Sequence, residues 1–343
     1  MKIIYSERHA QHDPQTFLVR GVIQRNAEQP ERATRLLAAA TAAGHDVTAP
    51  RPVGIAPAQA VHTPEYLDFL QVAAREWGNL PGAGPEVVPN VHPARYPATY
   101  PKGLVGRAGW HQADTGCPIG PHTWDAALAA SETAVTAADL VLSGTREVYA
   151  LCRPPGHHAF ADMAGGFCFL NNSAIAAQHL RRDHARVAVL DVDVHHGNGT
   201  QGIFFERDDV LTVSIHADPS TYYPYFWGHA HETGTGRGHG YNLNLPLPLG
   251  SPDAPWLEAG DKALARIRTF APTALVVALG LDAAASDPLQ GLKVTGAGFH
   301  AMAGNIAGLG LPTVLVQEGG YLSDDLGYNL VQFLSGFEAG RRR

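Results

Sequence analysis

Seven short apolar runs, rich in β-branched residues, alternate along the 343-residue chain with longer stretches of helical periodicity. Strands that are apolar throughout are buried on both faces, which is typical of a parallel sheet covered by helices. The sequence therefore predicts an α/β fold with a mostly parallel central sheet. The predicted strands are residues 2–5, 148–152, 187–191, 210–215, 241–245, 274–279 and 313–317. The predicted helices are residues 31–43, 64–76, 123–142, 171–182, 255–270 and 298–309.

No internal repeat and no flexible linker divides the chain, so a single domain over residues 1–343 is expected. Residues 78–121 interrupt the rhythm, because they are rich in Gly, Pro, Tyr and Trp and have no clear period. A loop this long inside a compact domain is usually functional or an interaction surface. Residues 218–240 form a second irregular stretch, and either stretch could equally be an ordinary surface loop.

The overall composition excludes several classes of protein. The formal net charge of −7 disfavours a nucleic-acid binder that uses a basic surface. The longest apolar stretch, residues 274–281, is too short to cross a bilayer, and the first residues do not resemble a secretory signal. The three cysteines Cys117, Cys152 and Cys168 form no CxxC pair. We therefore expect a cytoplasmic protein with no nucleic-acid or membrane partner.

Polar residues follow the predicted strand 187–191 in a regular pattern. The chain reads DVDVHHGNG from Asp191 onward, and alternate side chains of an extended strand share a face, so Asp191, Asp193 and His195 point the same way. Three polar groups on an otherwise apolar strand are costly to bury unless they are paired or bind a metal. This pattern predicts a metal or catalytic site at the end of the strand.

A third metal ligand is available after the predicted strand 274–279. That strand ends in GLD, which places Asp282 at the same edge of the sheet as Asp193 and His195. A His/Asp/Asp set leaves a coordination position open for water or substrate, as a catalytic zinc requires. Because the two carboxylates cancel the charge of the ion, its bound water is acidified less, and a separate general base becomes useful.

Two further strand ends supply candidates for proton transfer. Strand 148–152 runs into RPPGHH, in which the prolines and glycine form a fixed turn that presents His157 and His158. Strand 313–317 runs into EGGY, where two glycines allow Tyr321 to lean into the site and donate a hydrogen bond. Each motif alone is weak evidence, but together they converge on one sheet edge.

The blocks RPPGHH, GGFCFLNN, DVDVHHGNGTQ, GLDAAASDP and EGGY resemble, in order and approximate spacing, those of the histone deacetylase family. The resemblance covers about residue 32 to the C-terminus and is closest to the bacterial branch of acetylpolyamine amidohydrolases and histone deacetylase-like amidohydrolases. It implies the arginase/deacetylase α/β fold, with a central sheet of about eight parallel strands and helices on both faces.

The resemblance also implies a role for each candidate. It makes Asp193, His195 and Asp282 the ligands of one zinc ion per chain. His158 becomes the general base and then the general acid. The resemblance further implies that His157 stabilises charge, that Asp191 holds His157, and that Tyr321 donates a hydrogen bond to the oxyanion. Asn198 stands beside the second histidine, at a position where many members of the family carry an aspartate.

The residues that line the substrate path are also inferred from the resemblance. Phe167 and Tyr223 match the aromatic walls around the methylene chain of the substrate. Phe17 and Leu289 stand at entrance positions where polyamine-selective members carry carboxylates, and Asp114 is the one acidic candidate there. The family further implies structural K⁺ or Na⁺ near the backbone of residues 191–195 and near Ser214.

The sequence thus predicts a zinc-dependent amidohydrolase that removes acetyl groups from small acetylated amines, such as acetylpolyamines, and releases acetate. A protein acetyl-lysine deacetylase, a catalytically inactive acyl-amine binding protein and an arginase-like enzyme with two manganese ions are the alternatives. A homodimer built partly by residues 78–121 is also expected from the resemblance. Its candidate interface aromatics are Trp77, Tyr96, Tyr100 and Trp110.

Overall fold

The structure is a computed structural model, and it describes residues 1–93 and 97–342. Its strands are β1 (Lys2–Ile4), β2 (Thr16–Val19), β3 (Val22–Arg25), β4 (Asp46–Thr48), β5 (Glu147–Ala150), β6 (Val187–Asp191), β7 (Val210–Ala217), β8 (Asn242–Leu247), β9 (Ala274–Leu279) and β10 (Thr313–Gln317). Its α-helices are α1 (Glu31–Ala42), α2 (Ala56–Gln59), α3 (Pro64–Trp77), α4 (Leu104–His111), α5 (Thr123–Leu142), α6 (Asn172–Leu180), α7 (Asn198–Phe204), α8 (Asp253–Phe270), α9 (Gly296–Ala307) and α10 (Leu326–Arg341). Short 3₁₀ helices occupy Glu7–Gln11 and Gly236–Gly238.

Eight strands form one parallel sheet in the order β4-β1-β5-β10-β9-β6-β7-β8. The strands in its middle are buried throughout, because helices cover both faces. The remaining strands, β2 and β3, pair as a separate antiparallel hairpin. The predicted parallel α/β architecture is therefore confirmed.

The two faces of the sheet carry separate cores, since successive strand residues point in opposite directions. On β6, for example, Leu190 packs with α1, α8, α9 and α10, whereas Val189 packs with α5 and α6. A third cluster, centred on Tyr66 and Phe69 of α3, lies under the irregular segment 78–121. This third cluster connects that segment to the main body of the protein.

All seven predicted strands and all six predicted helices are present, with ends shifted by a few residues. Strands β2, β3 and β4 and helices α2, α4, α7 and α10 were not predicted. Strand β4 has three residues, all exposed, so it has no apolar pattern to detect. Helix α10 is interrupted by glycines, and Gly336 and Gly340 lie so close to the backbone of α9 that a larger residue would overlap it.

Segment 78–121 differs from the expected structureless loop, because it contains α4 and the paired residues Val87 and Ile119. Among the predicted interface aromatics, Tyr96 lies outside the described residues. Tyr100 packs edge-on against Trp110, with ring centroids 5.5 Å apart. Trp77 is partly buried against the third cluster. The described aromatics therefore contact their own chain.

Within the described part of the chain, no helix combines the length and the apolar character needed to cross a membrane. Cys117, Cys152 and Cys168 are buried and unpaired.

Candidate active site

Four neighbouring strands, β5, β10, β9 and β6, bring the predicted motifs to one edge of the sheet. Parallel strands end on the same side, so the residues after each carboxyl end converge there. His157 and His158 follow β5, Tyr321 follows β10, and Asp282 follows β9. The structure thus places side by side residues that are up to 164 positions apart in the chain (157 to 321).

The three predicted metal ligands lie together at this edge. Ligand atoms of Asp193, His195 and Asp282 are all within 4.8 Å of one another, and all three side chains are buried. The His195 Nδ1 atom is 3.1 Å from a carboxylate oxygen of Asp193 and 3.1 Å from one of Asp282. Two carboxylates and one imidazole that converge in this way form a donor set suited to zinc.

The surroundings of this group fit a bound cation. Burial, together with the nearby Asp193 carboxylate, raises the pKa of Asp282 to about 6, which reflects negative charge that is poorly compensated by the protein alone. Gly280 and Gly319 make room for the carboxylates, since a Cβ at either position would overlap an oxygen of Asp193 or Asp282. The group is therefore a metal-binding candidate on its own geometry.

The tandem histidines are held by a carboxylate to which the sequence analysis assigned no role. The Glu318 side chain accepts hydrogen bonds from the backbone N–H groups of Gly156 (2.6 Å) and His157 (3.0 Å) and from the hydroxyl of Ser173 (2.6 Å). Burial raises the pKa of Glu318 to about 7. Because Glu318 also begins the EGGY loop, it joins the histidine turn to the loop that carries Tyr321.

Each histidine of the pair has a different partner on the DVDVHHGN segment. His157 Nδ1 lies 2.9 Å from the Asp191 carboxylate, and His158 Nδ1 lies 2.6 Å from the amide oxygen of Asn198. Against the cost of burial, the Asp193 and Asp191 carboxylates raise the pKa of His157 to about 10. Burial and the neighbouring His157 lower the pKa of His158 well below its usual value. The pair is thus split into a charged and a neutral imidazole.

The hydrogen bond to Asn198 also fixes the tautomer of His158. An amide oxygen can only accept, so the proton of the neutral ring resides on Nδ1 and the lone pair on Nε2. The ring packs edge-on against Tyr223, with centroids 4.9 Å apart, and lines the cavity described below. His158 therefore presents a basic nitrogen to the space above the metal candidate.

Tyr321 is buried and positioned by three neighbours. Its backbone N–H donates to Asp287 at 2.8 Å, and its ring lies 5.6 Å from that of Phe167 between centroids. The guanidinium carbon of Arg32 lies 4.7 Å from the centroid of the Tyr321 ring, and the guanidinium donates hydrogen bonds to the carbonyl oxygens of Gly320 and Glu318. Burial raises the pKa of Tyr321 well above its usual value, so the phenol keeps the proton that it would donate.

A cavity of about 430 Å³ opens above these groups. Its walls include all five predicted substrate-path residues, namely Phe17, Asp114, Phe167, Tyr223 and Leu289, and its deep part reaches His158, His195 and Tyr321. Phe167 has a φ of 71°, a left-handed conformation that a bulky residue rarely adopts, so the surrounding structure imposes it. Phe17 packs against Phe167 with ring centroids 5.6 Å apart.

Asp114 lies in the wall, but its oxygens are already bonded to the protein. They accept hydrogen bonds from the Tyr223 hydroxyl (2.7 Å) and from the backbone N–H groups of Gly166 (3.0 Å) and Gly116 (2.7 Å). Asp114 thus orients one aromatic wall and the loop that carries the other. Its predicted contact with substrate remains a prediction.

Three residues of the site were missed by sequence reasoning. Glu318 and Arg32 act through backbone groups, which leave no pattern in side-chain types. Tyr222 stacks on His195, with ring centroids 5.1 Å apart and planes at 14°, and its hydroxyl donates to the Leu289 carbonyl. The family resemblance identified the neighbouring Tyr223 as a wall of the substrate path, whereas no feature of the sequence YYPYFW distinguishes Tyr222 from its neighbours.

A second group with metal-ligand geometry, formed by His157, Cys168 and Glu318, lies beneath the first. The Glu318 oxygens are occupied by three protein donors, and burial raises the pKa of the Cys168 thiol well above its usual value. A neutral thiol and a fully bonded carboxylate are poor metal ligands. We interpret this second group as structural.

The histone deacetylase domain matches residues 26–337 of the chain. The chain belongs to the histone deacetylase family. It is 50% identical to the acetylpolyamine amidohydrolase of Burkholderia pseudomallei over 96% of each chain, and 44% identical to acetylpolyamine amidohydrolase 1 of Pseudomonas aeruginosa over 100% of each. A crystal structure of the B. pseudomallei acetylpolyamine aminohydrolase superposes with a TM-score of 0.95, at 48% identity over 99% of each chain.

A more distant solved structure, the HDA15 HD domain, superposes with a TM-score of 0.77 at 26% identity, covering 99% of this chain and 90% of that one. These matches confirm the predicted arginase/deacetylase fold and the family inferred from the motifs. They also confirm an amide-bond hydrolase, and the family is metal-dependent.

Proposed function

We propose that this chain is a zinc-dependent amidohydrolase that removes acetyl groups from small, slender acetylated amines, including acetylpolyamines. The observation that carries the proposal is the convergence of Asp193, His195 and Asp282, with His195, His158 and Tyr321 lining one cavity of about 430 Å³. The names of the relatives support the substrate class, since several are acetylpolyamine amidohydrolases of nearly the same length.

Asp193, His195 and Asp282 would hold the zinc ion, because they are the converging, buried donor set. When bound, zinc would polarise the acetamide carbonyl and lower the pKa of a water molecule. Zinc is proposed on the chemistry of these ligands. Structural K⁺ or Na⁺ near Ser214 remains a further prediction.

His158 would perform the proton transfers. Its Nε2 lone pair, fixed by the hydrogen bond to Asn198, accepts the proton of the attacking water. The same nitrogen then donates this proton to the departing amine, which leaves acetate and a free amine as products. His157, held by Asp191, supplies a positive charge beside the reacting carbonyl.

Tyr321 would complete the site as a hydrogen-bond donor. Its protonated phenol stabilises the carbonyl oxygen as negative charge develops on it during attack. Phe167 and Tyr223 flank the methylene chain of the substrate and exclude water from it. These roles require no residue beyond those that line the cavity or support its floor.

The alternatives differ in what they require of the structure. An inactive binding protein would have no need for the Asn198 and Asp191 contacts that prepare the two histidines for catalysis. An arginase-like centre with two manganese ions needs extra carboxylates, whereas Asn198 faces His158 and His196 lies against Asn244. An acetyl-lysine deacetylase would use the same catalytic groups, so only the preferred substrate distinguishes this alternative from the proposed function.

The test combines metal analysis with acetate release from acetylputrescine, acetylspermine, N-hexylacetamide and an acetyl-lysine peptide. We expect one zinc per chain and a higher kcat/KM for the small amides than for the peptide. The His158→Ala variant should keep its metal and lose nearly all turnover, which rules out a contaminating hydrolase. Metal-loaded protein that hydrolyses none of the four would refute the proposal, and a strong preference for the peptide would assign it to lysine deacetylation.

We further infer one deacetylase domain over residues 1–343, a cytoplasmic location and a homodimer. The single continuous sheet and the unpaired cysteines support the first two. Val91, Tyr100 and Val105 in segment 78–121 expose 54%, 39% and 41% of their surface, and these residues support an interface there.

A further inference from the structure

The motif GLDAAASDP contains a second aspartate, Asp287, which has no part in the mechanism proposed above. Asp287 exposes only 3% of its surface, and no lysine or arginine among the described residues forms an ion pair with it. Burial, together with the nearby Asp282 carboxylate, raises the pKa of Asp287 to about 7, so a carboxylate costs free energy at this position. A buried acid that no cation compensates is a candidate for a functional role.

The two oxygens of Asp287 join one wall of the cavity to the loop that carries Tyr321. Its Oδ1 atom accepts a hydrogen bond from the backbone N–H of Leu289 at 2.9 Å, and its Oδ2 atom accepts one from the backbone N–H of Tyr321 at 2.8 Å. Leu289 and Tyr321 both line the cavity, whereas Asp287 is not one of its described lining residues. The carboxylate therefore acts from behind the cavity, on the backbone of two residues that line it.

The direction of the Tyr321 phenol depends on how its backbone is held. Gly320, directly before it, has a φ of 112°, a conformation that is open mainly to glycine, so the loop itself imposes little constraint. Two contacts fix this backbone, since Arg32 donates to the Gly320 carbonyl and the Tyr321 N–H donates to Asp287. The Tyr321 hydroxyl, by contrast, forms no hydrogen bond with any described residue. A shift of the backbone therefore moves the hydroxyl, and misplacing a reacting group by about 1 Å can slow a reaction by about a hundredfold.

We propose that Asp287 is a positioning residue for the hydrolysis: its carboxylate holds the Tyr321 N–H and so directs the phenol at the place where the oxyanion develops. The proposal rests on the amide hydrolysis proposed above and adds a residue that acts on it only through Tyr321. Aspartate suits this position better than asparagine, because each of its oxygens meets an N–H donor, whereas an amide would turn its NH₂ group toward one of them. The second donor, Leu289, keeps the carboxylate in one orientation.

The test is Asp287→Asn in the metal-loaded enzyme, because this change keeps the size of the side chain and removes one acceptor. We expect kcat for acetylputrescine and N-hexylacetamide to fall by roughly tenfold to a hundredfold, since the donor to the transition state is misdirected. KM should change by less than about threefold, because the aromatic walls Phe167 and Tyr223 are unaltered. The bound metal should stay at the level of the parent enzyme.

The decisive measurement is the same substitution in a Tyr321→Phe background. If Asp287 acts through the Tyr321 hydroxyl, that background has no hydroxyl to misdirect, and kcat should fall further by less than about threefold. A carboxylate with a merely structural role would lower kcat by the same factor with or without the hydroxyl. Asp287→Ala, which lets water reach the two N–H donors, should give the same pattern and serves as the second variant if Asp287→Asn folds poorly.

Asp253→Asn is the matched control. The Asp253 carboxylate also holds two donors, the backbone N–H of Thr295 (2.7 Å) and its hydroxyl (2.6 Å), but it lies at the start of α8 and does not line the cavity as described. This control should keep kcat within about twofold of the parent enzyme. A crystal structure of Asp287→Asn gives a readout that is independent of turnover. In that structure, the Tyr321 ring should leave its place beside Phe167 or occupy more than one position.

The outcomes separate the two proposals. If the metal-loaded parent enzyme hydrolyses neither substrate nor any other acetylated amine, the amidohydrolase proposal fails, and the role of Asp287 fails with it. If the parent enzyme is active but Asp287→Asn leaves kcat unchanged, or lowers it by the same factor in the Tyr321→Phe background, the positioning proposal fails while the proposed function stands. A Tyr321 ring that stays in place in the variant, or an equal loss of kcat in Asp253→Asn, would likewise overturn the role of Asp287.

Discussion

At the floor of the cavity, formed by Asp193, His195, Asp282, His157, His158 and Tyr321, side chains expose less than one tenth of their surface. At its rim, formed by the β2–β3 hairpin and Tyr225, Leu18 exposes 49%, Ile23 72% and Tyr225 51%. The floor consists of charged and polar groups buried on rigid strand ends, whereas the rim consists of exposed apolar groups on a two-stranded ribbon.

This contrast divides the chemistry between the two regions. Buried charges need partners, so the side chains of the two histidines and the three metal-ligand candidates are fixed by hydrogen bonds, and electrostatic effects there are strong. The rim is solvated, and its charges act weakly and are screened by salt. We therefore expect substitutions in the floor to change catalysis by orders of magnitude and substitutions in the rim to change selectivity or assembly by small factors.

The largest effect is expected from Asp282→Ala. Removing one of three ligands should eliminate most of the bound zinc and nearly all activity. Metal analysis and acetate release measure the two losses. Asp209→Ala, which removes a carboxylate paired with Arg181 and Arg207 outside the cavity, is the control and should keep its metal. One tightly bound zinc per chain with full turnover in Asp282→Ala would show that the ligand assignment is wrong.

Next in size is Tyr321→Phe. Loss of one donor to the developing oxyanion should lower kcat by roughly two to three powers of ten, with the metal retained. Steady-state kinetics of the metal-loaded variant give the value, and Tyr328→Phe on the exposed surface is the control. An unchanged kcat would mean that Tyr321 has only a structural role. It would also contradict the expectation that substitutions in the floor change catalysis by orders of magnitude.

A smaller change, in pH dependence, is expected from Asn198→Asp. A carboxylate at this position would stabilise the charged form of His158, whose pKa is lowered by burial and by His157, and would therefore raise that pKa. Because His158 acts as a base in its neutral form, the acidic limb of the pH–rate profile should move to higher pH. A downward displacement of that limb would contradict the proposed contact.

The smallest catalytic effect is expected from the exposed residues of segment 78–121. Deleting part of this segment would disturb the core, because Val87 is fully buried, so substitutions of exposed residues are the cleaner test. Val91→Asp with Val105→Asp should convert a dimer to monomers in light scattering while kcat for a small amide changes less than about twofold. Leu249→Asp, exposed elsewhere, is the control. An unaltered oligomer would exclude this segment as the interface.

The sequence by itself determined seven of the eight strands of the central sheet and the residues of the floor. Buried parallel strands must be apolar throughout, so the polar residues after Val187–Asp191 and Ala274–Leu279 stand out. The family motifs then identified the same residues, and the structure brings Asp193, His195 and Asp282 together. A charged residue at a buried position is easy to recognise in a sequence, because burying a charge is costly and an apolar residue would otherwise occupy that position.

Only the tertiary structure decided how those residues are held and what surrounds the mouth. Glu318 and Arg32 act on backbone groups of segments far away in the chain, and such contacts impose no local pattern. The sequence identifies Asp114 only as an acidic residue near the entrance, yet hydrogen bonds from Gly116, Gly166 and Tyr223 direct its carboxylate into the wall. Arg20 reads as an ordinary surface arginine until pairing of Val19 with Val22 places it at the mouth of the cavity. Residue type is local, whereas direction and partnership depend on contacts that form only when the chain folds.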